Sequence, residues 1–536
     1  MKMRFPNLIT VFRERDKKDF YAAEARWDDI HVWVEGESEL NVKAQAAETP
    51  LCYIRLRWNF SPDETPRFPA RVTGDDWERG YGKMQWSGIS PNTCYPWVIA
   101  CSNGSDANRN AENRWTACWG VKVRPSALAF WQYDTHGVTL WLDVRNGGAG
   151  VILRGRTLDA ATVVCAEYEN ITAFRALRAF YRTLVDDAIL PKRHLYGANN
   201  WYYAYGRSSE AEILTDARLI AELSEGLPVK PYSVIDAGWS DDAMNGPWDH
   251  GNERFPDMRA LAEKIRAAGA EPGIWVRYLA DEKGMSPIRD KDAHISRDAH
   301  YLDPSHPAVL EEVKRITHLL SEEWGYTLIK HDFSTVDIFG EWGFQRPFSL
   351  TNDGWTFYDR SLTSAEIVVR LYRAILEAAK PGTLILGCNV IGHLAAGLVH
   401  ANRTGDDTSG LRWDRTRKMG VNTLAFRMPH DGAFYSADPD CVGITGSIDW
   451  KYNRRWLDIL AQSGAALFVS LKPEAATDEI KADLKRAFEI NLKAKGELEP
   501  VDWMENLCPE RWEKNGREIC FDWIPEDGCT DEALDR

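Results

Sequence analysis

The 536-residue sequence lacks any run of about 20 apolar residues, the length that a membrane-spanning helix needs. Its ten cysteines include no CxxC pair, which argues against a zinc site, and their spacing is not typical of a disulfide framework. The amino-terminal segment returns to charged residues too soon for a signal peptide. We therefore expect a cytoplasmic protein with reduced thiols, and a signal peptide that was removed beforehand is the alternative.

An excess of positive charge is also missing. Lys and Arg number 65 against 80 Asp and Glu, a net charge of -15, whereas a nucleic-acid partner needs a basic stripe. The sequence contains no P-loop, no glycine-rich dinucleotide motif and no Ser-His-Asp order. His331, His393 and His400 have no spacing typical of metal ligands. We expect no cofactor, no metal, no nucleic acid and no membrane partner.

Tryptophan, by contrast, is abundant, with 23 residues. Its ring can stack on the C–H face of a sugar, so this content is a weak indication of a carbohydrate ligand. Filling of cores and interfaces explains the same content equally well. The composition alone leaves both interpretations open.

Residues 1–188 have the pattern of an antiparallel β-sandwich. Short apolar or alternating segments are separated by Gly, Asp, Asn and Pro, and they include DIHVWVEG, LCYIRLRWNF, WTACWGVKV, LAFWQYD and VTLWLDV. Residues 171–187 then show helical spacing and are followed by Pro191. We therefore place a domain boundary near residue 188.

Residues 189–498 alternate strands with amphipathic helices, which predicts parallel strands and a (β/α)8 TIM barrel. The predicted strands are GANNWYYAY, YSVIDAG, EPGIWVRY, YTLIKHDF, TLILGCN, LVHANRT, TLAFRMP and AALFVSL. Residues 499–536 form a short C-terminal extension in which REICFDW predicts a small β appendage. The chain is thus expected to be a multidomain α/β protein.

Function in such a barrel lies at the carboxyl ends of the strands. Carboxylates, aromatic rings and a few cations occupy these positions, in the order Trp201, Tyr202, Asp236, Trp239, Trp275, Arg277, Lys330, Asp332, Cys388, Asn389, Arg403, Asp406 and Asp407. The DPD sequence at 438–440 is interpreted as scaffold at the barrel rim.

Two carboxylates at one pocket suggest glycoside hydrolysis, in which one is an ionised nucleophile and the other delivers a proton. Asp332 suits the first function, because Lys330 lies on the same side of the strand and favours the charged form. Asp407 suits the second, because its neighbour Asp406 should raise its pKa. Arg403 would hold a hydroxyl or a carboxylate.

These pieces occur in the order found in a known family. Residues 195–475 resemble the catalytic barrel of the clan D α-galactosidases, glycoside hydrolase families 36 and 27, with family 36 closer. The matching segments are NWYYAY, IDAGW followed by ERFPDM, PGIW, KHDF, LGC, RTGDDT and ADPDC. The β-rich amino-terminal region fits the β-sandwich that precedes the barrel in family 36.

The resemblance implies double displacement with retention of configuration. It makes Asp332 the nucleophile and Asp407, rather than Asp406, the acid/base. Lys330 and Arg403 would contact sugar hydroxyls, and pocket-lining positions match the residues Trp201, Trp275 and Cys388.

One position departs from the family pattern. Where the family has two adjacent Asp residues that grip the 4- and 6-hydroxyls of galactose, this sequence has Asp236 and Ala237. A missing acceptor weakens a substrate that needs it by about 1–3 kcal/mol. Either Asp241 or Asp242 substitutes from the loop, or the sugar differs from galactose at C4 or C6.

We therefore expect a retaining, exo-acting α-glycosidase that cleaves terminal α-linked galactose or a galactose-like sugar from an oligosaccharide or glycoside. The alternatives are an α-N-acetylgalactosaminidase or another clan D glycosidase of altered specificity, a raffinose-type α-galactosyl transferase, and a non-catalytic sugar-binding relative. A homo-oligomer is compatible with the sequence.

Overall fold

The amino-terminal third of the chain consists of antiparallel strands in the computed structural model, which describes residues 3–14, 16–61, 70–103, 114–346, 348–352, 354–526 and 528. Strands β1 to β7 are Leu8–Phe12, Lys17–Phe20, Glu24–Trp27, Ile30–Glu35, Leu40–Gln45, Tyr53–Asn59 and Arg71–Gly74. Strands β8 to β13 are Tyr95–Pro96, Val98–Ser102, Trp115–Val121, Leu128–Asp134, Gly137–Asp143 and Thr157–Glu169. The five strand segments predicted above are confirmed as β4, β6, β10, β11 and β12.

These strands form two antiparallel sheets. The six-stranded sheet has the order β2-β1-β6-β12-β11-β8, and the seven-stranded sheet has the order β3-β4-β5-β13-β10-β9-β7. Buried and half-buried side chains alternate along β4 and β6, because successive side chains of a strand point to opposite faces. Val32 of one sheet and Leu56 of the other belong to the same hydrophobic core.

The strands from Tyr196 onward form a nine-stranded parallel sheet. Strands β14 to β22 are Tyr196–Asn199, Tyr232–Ile235, Glu271–Val276, Leu328–His331, Leu384–Gly387, Ala401–Arg403, Ser436–Asp438, Val442–Ile444 and Leu467–Leu471. Their order is β20-β19-β18-β17-β16-β15-β14-β22-β21. The two edge strands, β20 and β21, are consecutive in the sequence. Because the strands are parallel, all their carboxyl ends lie at the same side of the sheet.

Helices connect and flank the strands. Helices α1 to α6 are Ala173–Thr183, Trp201–Ala204, Glu210–Leu223, Met258–Ala267, Pro307–His318 and Ser334–Phe339. Helices α7 to α12 are Ser364–Ala378, Gly392–Ala395, Trp413–Thr416, Asn422–Arg427, Trp450–Ser463 and Asp478–Lys493. The amphipathic segments of the sequence are confirmed as α3, α4, α5 and α7. Helix α7 starts with a capping box in which the side chains of Thr363 and Glu366 bond each other's backbone N–H.

The predicted strand GANNWYYAY is correct only in its first half, because β14 ends at Asn199 and Trp201–Ala204 forms helix α2. Another predicted strand is wrong throughout. The segment TLAFRMP contains most of helix α10, and the strand is formed later in the chain by Ser436–Asp438. Every residue of α10 is buried. Its sequence therefore lacks the alternation of apolar and polar residues that would distinguish a helix from a strand.

After helix α12, three strands form a small antiparallel sheet: β23 (Leu498–Pro500), β24 (Arg511–Lys514) and β25 (Arg517–Cys520). The predicted REICFDW strand overlaps β25. Trp512 of β24 is fully buried, which fixes this sheet to the rest of the chain. Among the described residues, no helix combines the length and the apolar character needed to cross a bilayer.

Candidate active site

A cavity of about 380 Å³ lies at the carboxyl ends of the parallel strands. It is lined by side chains from most strand ends and from three other segments: Arg79, Tyr81, Asn199, Trp201, Tyr202, Asp236, Ala237, Met244, Trp275, Lys330, Asp332, Phe333, Trp342, Phe344, Cys388, Arg403, Asp406, Asp407, Arg415 and Asp440. These residues are distant from one another in the sequence, and the parallel sheet brings them together.

Asp332 follows strand β17 directly and is held by three donors. The backbone N–H groups of Phe333 and Asn389 donate to its Oδ1 at 2.7 and 3.0 Å, and the indole N–H of Trp275 donates to its Oδ2 at 3.1 Å. Burial opposes its ionisation, but the charges of Lys330 and Arg79 and these donors keep its pKa below the ordinary value. Asp332 is therefore an ionised carboxylate in a fixed orientation.

Asp236, at the end of β15, forms a buried ion pair with Lys330. The Nζ of Lys330 lies 2.8 Å from its Oδ2, which also accepts a hydrogen bond of 2.7 Å from the Asn199 side chain. The backbone N–H of Ala237 donates to its Oδ1 at 2.8 Å. The Lys330 side chain is 10% exposed and that of Asp236 4%, so these polar groups are available only to a ligand inside the cavity.

Arg403, at the end of β19, joins several groups of the cavity. Its Nη1 lies 3.1 Å from Asp440 and donates to the Sγ of Cys388 at 3.5 Å, while its Nη2 donates to Asp407 at 3.2 Å. Asp440 also accepts hydrogen bonds from the Tyr202 hydroxyl and, at 2.7 Å, from the backbone N–H of Thr408. The DPD segment thus contributes a cavity residue, contrary to its interpretation as scaffold.

Asp407 differs from the prediction in its protonation. Burial raises its pKa, but the charges of Arg79, Arg403 and Lys330 outweigh this effect and hold the pKa below its ordinary value. The expected repulsion from Asp406 is absent as a net effect, because Asp406 forms its own ion pairs with Arg79 at 2.9 Å and Arg415 at 2.6 Å. Arg79, Arg403 and Lys330 therefore favour the ionised form of Asp407.

Aromatic rings surround the mouth of the cavity. Tyr81 and Phe344 pack with ring centroids 4.4 Å apart, and Trp201 packs on Tyr205 at 5.3 Å. Phe344 is 53% exposed. Such faces suit stacking against a sugar ring or an aromatic group.

Three predicted site residues lie outside the cavity lining. Trp239 is fully buried and donates its indole N–H to the carbonyl of Trp275 at 2.9 Å. Arg277 forms a buried ion pair of 2.7 Å with Asp337. The side chain of Asn389 bonds Glu78, although its backbone N–H supports Asp332. All three support residues of the cavity wall rather than facing into it.

Neither loop aspartate takes the place of the missing strand-end carboxylate. Asp241 pairs with His250 at 3.2 Å, and Asp242 pairs with Lys283. The cavity wall next to Asp236 is instead apolar, formed by Ala237 and Met244.

His331 alternates with Lys330 and Asp332 and faces away from the cavity. It is buried between Tyr278 and Tyr372, with ring centroids 6.4 and 5.6 Å away, and burial lowers its pKa to about 4. Among the described residues, no group of three or more His, Cys, Asp and Glu side chains is placed to hold a metal ion.

Several cavity residues could not be found from the sequence. Arg79 and Tyr81 come from the amino-terminal region, Trp342 and Phe344 follow helix α6, and Arg415 lies in α9. None of these residues lies directly at the end of a strand of the parallel sheet. Asn199 ends strand β14, so its position at a strand end was a usable signal.

Together, the fold and the cavity define a multidomain α/β protein with a carboxylate-rich site at the carboxyl ends of a parallel sheet. No protein-family model matches the chain. No curated protein matches it either.

Solved structures do match the fold. TtGalA, an alpha-galactosidase from Thermus thermophilus solved with p-nitrophenyl alpha-D-galactopyranoside, is 17% identical with a TM-score of 0.58, covering 93% of this chain and 99% of that one. The GH36 alpha-galactosidase AgaA from Geobacillus stearothermophilus is 14% identical with a TM-score of 0.57, covering 92% and 76%. The structural neighbours are thus glycoside hydrolase family 36 α-galactosidases, and the likeness shows a shared fold.

Proposed function

We propose that the protein is a retaining, exo-acting α-glycosidase that removes terminal α-linked galactose or a galactose-like sugar. The observation that carries the proposal is the pairing of Asp332 and Asp407 in one cavity, each held by its own donors. The shared fold with α-galactosidases supports this chemistry by analogy. The roles of the individual residues are argued from their contacts in the cavity.

In the first step, an Asp332 oxygen attacks the anomeric carbon while the bond to the leaving oxygen breaks. Asp407 takes up a proton when the bound sugar excludes water from it, because burial favours the protonated form, and it gives this proton to the leaving oxygen, so the aglycone departs as a neutral alcohol. The Asp332 carboxylate suits this attack because it is ionised and oriented by Trp275 and two backbone N–H groups.

In the second step, Asp407 removes a proton from water, and the water oxygen attacks the anomeric carbon. The bond to Asp332 breaks, and the sugar leaves with its original configuration. This sequence requires the two carboxyl groups to lie roughly 5–5.5 Å apart in the substrate complex.

The sugar would be held at the inner end of the cavity. Asp236 and Lys330 offer an acceptor and a donor for adjacent hydroxyls, and Asn199 fixes Asp236. The side chains of Ala237 and Met244 in the cavity wall contain no hydrogen-bond acceptor of the kind that a carboxylate provides, so a polar substituent of the sugar on that side gains little affinity.

We also propose that the parallel sheet closes as a (β/α)8 barrel, with its seventh strand interrupted at residues 439–441 between β20 and β21.

The test is hydrolysis of nitrophenyl glycosides of α-galactose, α-N-acetylgalactosamine, β-L-arabinopyranose and α-glucose. The α-galactoside and the β-L-arabinopyranoside share ring stereochemistry, and the β-L-arabinopyranoside lacks C6. We expect turnover of the α-galactoside or the β-L-arabinopyranoside, loss of this turnover in Asp332→Ala, and loss of turnover of the corresponding methyl glycoside, whose leaving group needs a proton, in Asp407→Ala. Wild-type activity in both variants, or inversion of the anomeric configuration by NMR, would refute the proposal.

A further inference from the structure

A segment of the amino-terminal region, residues 78–81, is built into the wall of the cavity. The backbone N–H of Gly80 donates to the carbonyl of Thr404 at 2.8 Å, and the N–H of Asp406 donates back to the carbonyl of Gly80 at 3.0 Å. A Cβ at Gly80 would lie 2.6 Å from the Cγ2 of Thr423. The two backbone hydrogen bonds hold the segment against the loop that carries Asp406 and Asp407, and the short distance to Thr423 leaves no room for a side chain at position 80 beside helix α10.

Arg79 extends from this segment to both carboxylates of that loop. Its Nη2 lies 2.9 Å from Asp406 and its Nη1 lies 3.5 Å from Asp407. The guanidinium lies over the Trp342 ring at 5.2 Å, and its side chain is 8% exposed. These contacts fix the plane of the guanidinium, so that its two nitrogens face two different aspartates.

The same segment also reaches the side of the nucleophile candidate. The Glu78 carboxylate accepts hydrogen bonds from the Asn389 side chain and, at 2.9 Å, from the backbone N–H of Gly343. Asn389 in turn donates its backbone N–H to Asp332 at 3.0 Å. Buried Arg427 donates to the Glu78 carbonyl and anchors the start of the segment.

We propose that Arg79 is a positioning residue for the acid/base Asp407, and that residues 78–81 make the amino-terminal region an integral part of the active site. This inference rests on the proposed glycosidase function. Arg79 holds Asp407 in place by sharing one rigid guanidinium between Asp407 and its neighbour Asp406.

Arg79 also affects the protonation of Asp407, together with other groups around it. The charged and titratable groups near Asp407 are Arg79, Lys330, Arg403, Arg415, Asp332, Asp406, Asp440, Tyr202 and Tyr205. Arg79 is the strongest of the cations that favour the ionised form of Asp407. The acid step needs the protonated form, so Arg79 sets the upper end of the active pH range.

The test is the variant Arg79→Met, assayed for kcat/KM from pH 4 to pH 9. Two substrates are compared: p-nitrophenyl α-galactoside, whose leaving group departs without a proton, and methyl α-galactoside, whose leaving group needs one. We expect the alkaline limb to move up by about one pH unit. We also expect methyl α-galactoside turnover at pH 5 to fall at least about tenfold more than nitrophenyl turnover, because Asp407 is misplaced.

Arg57→Met is the matched control, because Arg57 forms an equivalent pair of hydrogen bonds with Asp134, at 2.5 and 2.9 Å, away from the cavity. It should leave the pH profile and the substrate ratio unchanged. Arg79→Lys, which restores the charge, should return the alkaline limb toward its wild-type position. If Arg79→Met does not fold, Arg79→Gln removes the charge, keeps polar contacts and carries the same expectations.

An Arg79 variant with a wild-type alkaline limb and a wild-type substrate ratio would overturn the inference. Equal loss on both substrates with no change in the pH profile would do so too, because it indicates a merely structural residue. Failure of the proposed function looks different, since Asp407→Ala would then behave like the wild type.

Discussion

Replacement of Lys330 by Met tests the buried Asp236–Lys330 pair of the cavity through two separate measurements, the thermal stability of the protein and the pH dependence of its activity. The change removes one partner of the buried Asp236–Lys330 pair, whose nitrogen and oxygen lie 2.8 Å apart. Asp236 would keep its bonds to Asn199 and to one backbone N–H, but its charge would lose its counter-ion. Breaking a buried pair in this way costs about 3–5 kcal/mol.

For a protein of this size, that loss lowers the melting temperature by about 3–4 °C. Differential scanning calorimetry of Lys330→Met, Asp236→Asn and the double variant measures it. The double variant should regain most of the lost stability, because it leaves no uncompensated charge, but it should not regain activity. A double variant as unstable as Lys330→Met would refute the argument, because the orphaned charge would then not be the cause.

The same variant changes the pH dependence of activity in a known direction. Lys330 helps to keep the pKa of Asp332 below its ordinary value. The nucleophile must be ionised, so activity is present above this pKa and is lost as the pH falls through it. Without Lys330 the pKa rises, and the acid limb of kcat/KM should move to higher pH. An acid limb that stays in place or moves down would contradict this reasoning.

Three further changes have defined outcomes. Asp407→Ala should lower turnover of methyl α-galactoside by about 10²–10⁴-fold and that of a nitrophenyl galactoside far less, and equal losses in steady-state kinetics would count against its acid function. Trp275→Phe removes the 3.1 Å bond to Asp332 and should cost about 1.5–3 kcal/mol in kcat/KM, so an unchanged value would exclude this support. Gly80→Ala should cost about 1–3 kcal/mol of stability by overpacking against Thr423, and an unchanged thermal transition would contradict the close approach.

Much of the candidate active site could be predicted from the sequence because parallel strands place their carboxyl ends together. Residues that end or directly follow successive strands, such as Asp236, Lys330, Asp332 and Arg403, could be assigned to one cavity before any coordinates. Each lies at a predictable point in a local pattern of strand and helix. That pattern failed in helix α10, where burial removed periodicity, and in the short helix α2, which begins two residues after strand β14 ends.

Other features depend on contacts between segments that are distant in the chain. Arg79 carries no local signal, and it enters the cavity because the backbone of its neighbour Gly80 pairs with the loop after strand β19. The ionised state of Asp407 follows from three cations supplied by three separate segments, whereas the adjacent Asp406 suggested the opposite. The sequence by itself determined that Asp236, Asp332 and Asp407 meet, since that follows from strand order, but it did not place Asp440 with them. Tertiary structure alone decided their charge states and their supports, because electrostatic interactions depend on distance in space rather than on separation along the chain.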